Sequence, residues 1–178
     1  ISTADGRIYE VGDTRKNFTI QSISKPFAYG LALKIHALDH VLGKVGVEPS
    51  GDAFNAISLH PVTGIPRNPM INAGAISTTA MIWANDPVNA ESHLLDFLSD
   101  MAGSRLTVDE QVFRSERETG HRNRAIGYLL RNSDVITSSP DEALELYFRQ
   151  CSVSLTCRDL ALMAATLACQ GQNPHTGV

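Results

Sequence analysis

The sequence lacks any run of about 18 consecutive apolar residues, the length a membrane-crossing helix needs. It has only three cysteines, Cys151, Cys157 and Cys169. The count is odd and no C-x-x-C occurs, so neither a disulfide framework nor a zinc site is indicated, and a reducing cytoplasm is the expected setting. Positive charge is not in excess: 15 Lys and Arg against 19 Asp and Glu leave a net −4, which argues against nonspecific nucleic-acid binding. Arginines gather at Arg114, Arg117, Arg122, Arg124 and Arg131, but Glu116 and Glu118 interrupt them, so a solvated helical surface is read there. No basic segment followed by an apolar one opens the chain, so no secretion signal is read. The first residue is Ile, and an N-terminal piece of a longer protein is expected to be missing.

What is present suits one domain with a real core: 178 residues, 43% apolar. Asp5-Gly6, between Ile1–Ala4 and Arg7–Val11, predicts a type I′ hairpin. Phe18-Thr19-Ile20 is too short to complete a sheet with it, so further strands are expected outside the 178 residues. The rest reads helical. One helix is expected over Phe27–Leu42, stopping at Gly43. A small-residue helix follows at Ala73–Ala84, then an amphipathic one at Glu91–Ala102 ending at Gly103. Val108–Arg117 and Arg122–Leu130 read as two more. Ser139-Pro140-Asp141-Glu142 and Thr156-Cys157-Arg158-Asp159 look like capped helix starts. The sum is an α+β chain: a helical domain preceded by a hairpin.

Ser22-Ile23-Ser24-Lys25 stands at the first of these helix starts. Three residues apart, Ser22 and Lys25 share a helical face. A serine hydroxyl needs a base to become a nucleophile, and a neutral lysine amine is one known partner. Lysine normally titrates near about 10.4, so it must be desolvated or set beside another cation to serve. The free N–H groups of a helix start also suit a developing oxyanion. The same Ser-x-x-Lys pattern arises by chance, with the serine a mere cap. His36 and His40 sit four apart, but no third ligand is near, so no metal is expected.

Five blocks extend the pattern: GDTRKNFTIQSISKPF, VGVEPSGDAFN, NPMINAGAI, SERETGHRNRAIGY and ELYFRQCSVSLTCRDLALMAATLACQG. Together, and in order along the whole chain, they closely resemble the serine-dependent glutaminases, which share the β-lactamase and penicillin-binding-protein (transpeptidase) fold. The resemblance implies hydrolysis of L-glutamine to L-glutamate and ammonia with no metal or organic cofactor, through an acyl-enzyme on Ser22 with Lys25 as base. It implies that Gln21 lines the substrate and that Glu116 takes its ammonium. Asn72, Asn123 and Tyr147 would hold the carboxylate end. It also implies a homodimer or homotetramer. Alternatives stay open for each residue: Glu116 as a surface partner of Arg117 or Arg124, Asn72 and Asn123 as helix caps, Tyr147 as a core residue with a solvent-reaching hydroxyl. Pro174-His175-Thr176-Gly177 is read as a loop.

Three family features have no position in residues 1–178: a substrate-binding tyrosine before the hairpin, a second tyrosine near the catalytic pair, and a Gly-rich strand supplying the second oxyanion donor. An incomplete single glutaminase domain is therefore expected, lacking an N-terminal segment and a C-terminal helix plus strands. Two other readings compete. One is a Ser-x-x-Lys β-lactamase or peptidase, which expects Ser-x-Asn or Tyr-x-Asn where Asn72-Ala73-Gly74-Ala75 stands. The other is a non-catalytic glutamine-binding domain, against which the presence of both Ser22 and Lys25 counts.

Overall fold

The computed structural model describes residues 1–178. After the N-terminal hairpin come β1 (Phe18–Thr19), a 3₁₀ turn (Gln21–Ser24) and α1 (Lys25–Ile35) without a break. Then follow α2 (Leu38–Leu42), α3 (Asn72–Asn85), α4 (Ala90–Ala102), β2 (Thr107–Val108), α5 (Glu110–Thr119), α6 (His121–Asn132), α7 (Pro140–Cys151), β3 (Val153–Leu155) and α8 (Cys157–Ala168). The α+β expectation is met. No helix is long and apolar enough to cross a membrane.

Helix α3 is the axis of the packing. Every residue from Asn72 to Ile82 is buried, which is where a helix of apolar and small residues belongs. Its hydroxyls are satisfied locally: Thr78 Oγ1 donates to the Gly74 carbonyl and Ser77 Oγ to the Lys44 carbonyl. One apolar core gathers α1, α4, α8 and the end of α3 around Phe27, Leu31, Ile82, Leu94 and Met163. A second gathers α5, α6, α7 and the start of α3 around Phe113, Ile126, Leu144 and Phe148. Helices α3 and α7 contribute to both and form the wall between them. At the start of α3 the Asn68–Pro69 backbone lies directly on Gly74, where any Cβ would collide with the Asn68 carbonyl oxygen.

Five sequence expectations need correction. The Phe18–Thr19 segment does enter a sheet: β3 pairs antiparallel with β1 and with β2, in the order β1-β3-β2, with Phe18 opposite Leu155 and Thr107 opposite Ser154. Strands of two or three residues leave too little alternation to be seen. The hairpin turn is not type I′. Gly6 N–H donates to the Thr3 carbonyl, and Gly6 alone in the turn has positive φ (80°), which is a three-residue loop ending in a left-handed glycine. This hairpin rests on the Pro174–His175 loop rather than on the sheet. The helix expected over Phe27–Leu42 breaks at His36 and Ala37, both extended, which lets Val41 and Val45 turn into the core. The helix expected from Val108 starts at Glu110, because Asp109 caps it by accepting from Gln111 and Val112 N–H. Ser139 occupies the cap position before Pro140 but makes no side-chain cap bond, whereas the Thr156–Asp159 capping box is fully formed.

Gly74→Ala is expected to force the Asn68–Pro69 segment off α3 and cost about 1–3 kcal/mol, as other overpacked sites do. Urea unfolding would show a lower midpoint with an unchanged slope; an unaltered midpoint would mean that the close approach is not needed.

Candidate active site

Ser22 and Lys25 open the first helix, and the packing treats them in opposite ways. Ser22 is exposed, while Lys25 is 3% exposed at the junction of α1 and α3. Lys25 Nζ donates to the Met70 carbonyl (3.0 Å) and to Asn72 Oδ1 (2.7 Å), and lies 5.4 Å from the centre of the Phe54 ring. The Phe54 carbonyl in turn accepts the Asn72 N–H. Two acceptors meet the two N–H bonds of a neutral amine. An ammonium has three donors, so it would leave one unsatisfied. Burial accordingly lowers the Lys25 pKa from the ordinary lysine value. A thiolate at Cys151 would oppose this. Burial and then the Glu116 carboxylate push the Cys151 thiol up to about 12, so it is protonated at neutral pH and burial acts on Lys25 alone.

The polarity of Lys25 propagates. Lysine only donates, so Asn72 must turn its oxygen toward it. The Asn72 NH₂ then donates to Asn123 Oδ1 (3.0 Å), which leaves the Asn123 NH₂ directed elsewhere. Asn72 is therefore not a cap: Ile71 holds the cap position of α3, and Asn68 Oδ1 accepts from Met70 and Ile71 N–H. Asn123 lies in the first turn of α6, and Gly120 holds the cap position.

Glu116, on α5, is half-buried and forms no ion pair in the chain. The neighbouring Arg117 and Arg124 are engaged elsewhere. Arg117 meets Glu145 at 3.7 Å, and the Arg124 guanidinium lies over the Phe148 ring. The Glu116 charge is felt by Tyr147 and Cys151, one turn apart on α7. Tyr147 is 2% exposed, not solvent-reaching. Burial raises its phenol well above the usual range, with Cys151 and then Glu116 adding to it. Gln21 has φ of 51° and donates from Nε2 to Thr19 Oγ1 (3.3 Å).

The fold thus links Lys25, Asn72 and Asn123 by hydrogen bonds, and gathers Glu116, Tyr147 and Cys151 within electrostatic reach of one another. Ser22 stands one turn before Lys25, and no hydrogen bond joins the two side chains. Sequence reasoning missed Ser24, Gln150 and Phe54. Gln150 left a signal, being a polar residue on the otherwise apolar stripe Ala143, Leu144, Tyr147, Phe148, Cys151.

A family model for glutaminase matches residues 1–178. The chain belongs to the glutaminase family. A curated glutaminase from Nostoc sp. is 53% identical over 99% of this chain and 53% of its own length. Crystal structures show the same fold. A Bacillus glutaminase in 4.3 M NaCl has a TM-score of 0.92 at 38% identity, over 99% of this chain and 60% of that one. A protein named Mglu, solved in its L-glutamate binding form in 4.3 M NaCl, has a TM-score of 0.90 at 38% identity, over 99% of this chain and 40% of that one. The chain spans about half the length of the curated relatives it matches.

Asn72→Asp is expected to set a carboxylate against Lys25 Nζ and raise its pKa, because an opposite charge favours the ammonium. NMR titration of the Lys25 side chain would show the upward move; an unchanged or lower value would mean that Asn72 does not set the charge state of Lys25.

Proposed function

We propose that the full-length protein hydrolyses the side-chain amide of L-glutamine to L-glutamate and ammonia, through an acyl-enzyme on Ser22. The observation that carries this reading is Lys25: buried, matched by two acceptors, and one helical turn after an exposed serine. Ser22 Oγ attacks the amide carbon as Lys25 Nζ takes its proton. The Ser22 N–H faces the oxyanion of the tetrahedral intermediate. Lys25 returns the proton to the leaving nitrogen, and ammonia departs. Water, deprotonated by Lys25, then attacks the ester carbonyl, and glutamate leaves as Ser22 recovers its proton.

The other end of the substrate carries an ammonium and a carboxylate. Glu116, without an ion pair in the chain, is proposed for the ammonium. The Asn123 NH₂ is proposed for the carboxylate, with Asn72 and Tyr147 setting its surroundings and Gln21 lining the approach. The L-glutamate binding form of Mglu supports a site shaped for this product. Residues 1–178 are proposed as part of one glutaminase domain, with a further tyrosine and the second oxyanion donor supplied by flanking segments. All three cysteines are free, which supports a reducing, cytoplasmic setting. A homodimer or homotetramer is proposed from the family resemblance.

Ammonia release by the full-length protein tests the reading. Lys25→Arg keeps the charge but stays protonated, since guanidinium titrates above about 12, so turnover is expected to vanish at every pH. Glu116→Gln is expected to weaken glutamine binding by about 2–4 kcal/mol, and to matter far less for an analogue without the α-amino group. An active arginine variant, or equal losses for the two ligands, would overturn the assignments.

A further inference from the structure

Ser22 N–H and the Gln21 carbonyl belong to one peptide unit. The chain has no cis peptide bonds, so the two groups point in opposite directions. Whatever holds the carbonyl therefore aims the N–H. The Gln21 carbonyl accepts from Ser24 Oγ at 2.7 Å. The Ser24 hydroxyl, 0% exposed, accepts from Gln150 Nε2 at 3.0 Å. Gln150, also 0% exposed, is held at its other end by Thr79 Oγ1, which shares its proton between Gln150 Oε1 and the Ala75 carbonyl, both at 2.9 Å. The chain of bonds thus runs from α3 through α7 to the turn that carries the nucleophile.

Directionality makes this more than packing. A hydroxyl has one proton. Because the Gln150 amide fills a lone pair of Ser24 Oγ as a donor, the Ser24 proton is left for the Gln21 carbonyl. Gln21 sits at φ of 51°, a region that non-glycine residues occupy only when their surroundings hold them there. The Ser22 N–H lies in the first turn of its helix, where N–H groups have no intrahelical partner, and it donates to no turn or cap acceptor.

We infer that Gln150 is a positioning residue of the reaction: through Ser24 it fixes the Gln21–Ser22 peptide with its carbonyl inward, so that the Ser22 N–H stands outward for the oxyanion. Gln150 touches no substrate. The inference rests on the proposed role of Ser22.

The test uses the full-length protein with Ser24→Ala, Gln150→Met and the double variant. Methionine is chosen because it nearly matches glutamine in length and leaves little void. Ser22→Ala is the control. Each single variant is expected to lose about tenfold to a hundredfold in kcat, in line with a weakened oxyanion donor, with KM changed less than about threefold. The double variant is expected to be no worse than the poorer single, because both act through one peptide. Near wild-type kcat in either folded single variant would overturn the inference, as would losses that multiply in the double. So would losses that track only a fall in melting temperature, since that is the mark of a merely structural role. If Ser22→Ala keeps its activity, the nucleophile assignment itself fails and the inference with it. If Ser22→Ala is inactive while both singles are normal, only the positioning role is lost.

Discussion

A buried lysine is the constraint on which the site is built. A lysine amine without partners is costly to bury, and the fold answers that cost with two oxygens, the Met70 carbonyl and Asn72 Oδ1, which match the two N–H bonds of its neutral form. Both come from the segment leading into α3, so the start of that helix cannot shift without stranding Lys25. Gly74 lets the Asn68–Pro69 backbone lie on the helix and deliver the Met70 carbonyl. Asn72, once committed to Lys25, commits Asn123 in turn. One buried amine therefore sets the orientation of two further amides across α3 and α6.

The wall formed by α3 and α7 carries the remaining polar groups. Gln150 on α7 bonds to Thr79 on α3 and to Ser24 in the turn before α1, and Tyr147 and Cys151 on α7 feel the Glu116 charge from α5. Each uncharged group has a partner or stays protonated: the thiol and the phenol are pushed up, so neither ionises near neutrality. The Glu116 carboxylate, half-buried and without an ion pair, faces this neutral wall. That contrast suits a ligand that brings its own positive charge.

Much of this was legible in the sequence, and the limits have physical causes. Ser22 and Lys25 were readable because three-residue spacing at a helix start has a geometric meaning, and the longer blocks gave the family. The capping box at Thr156 was readable because its chemistry is local. The sheet was not: β1, β2 and β3 are too short for alternation to register, and they pair only because the helices bring them together. The break at His36–Ala37 carries neither glycine nor proline and is imposed by packing of Val41 and Val45. The expectation of Asn72 as a possible cap lost to a tertiary contact, since Lys25 lies 47 positions away in sequence. Gln150 lies 126 positions from Ser24, and no local pattern could join them.

The central claim is that Ser22 becomes covalently acylated with Lys25 as its base. It is tested most directly by mixing the full-length protein with L-glutamine, quenching in acid within the first turnover, and mapping the peptides by mass. A γ-glutamyl group is predicted on the peptide that carries Ser22, and none when Ser22 is alanine. An adduct on any other residue, or turnover with no adduct at any quench time, would contradict it.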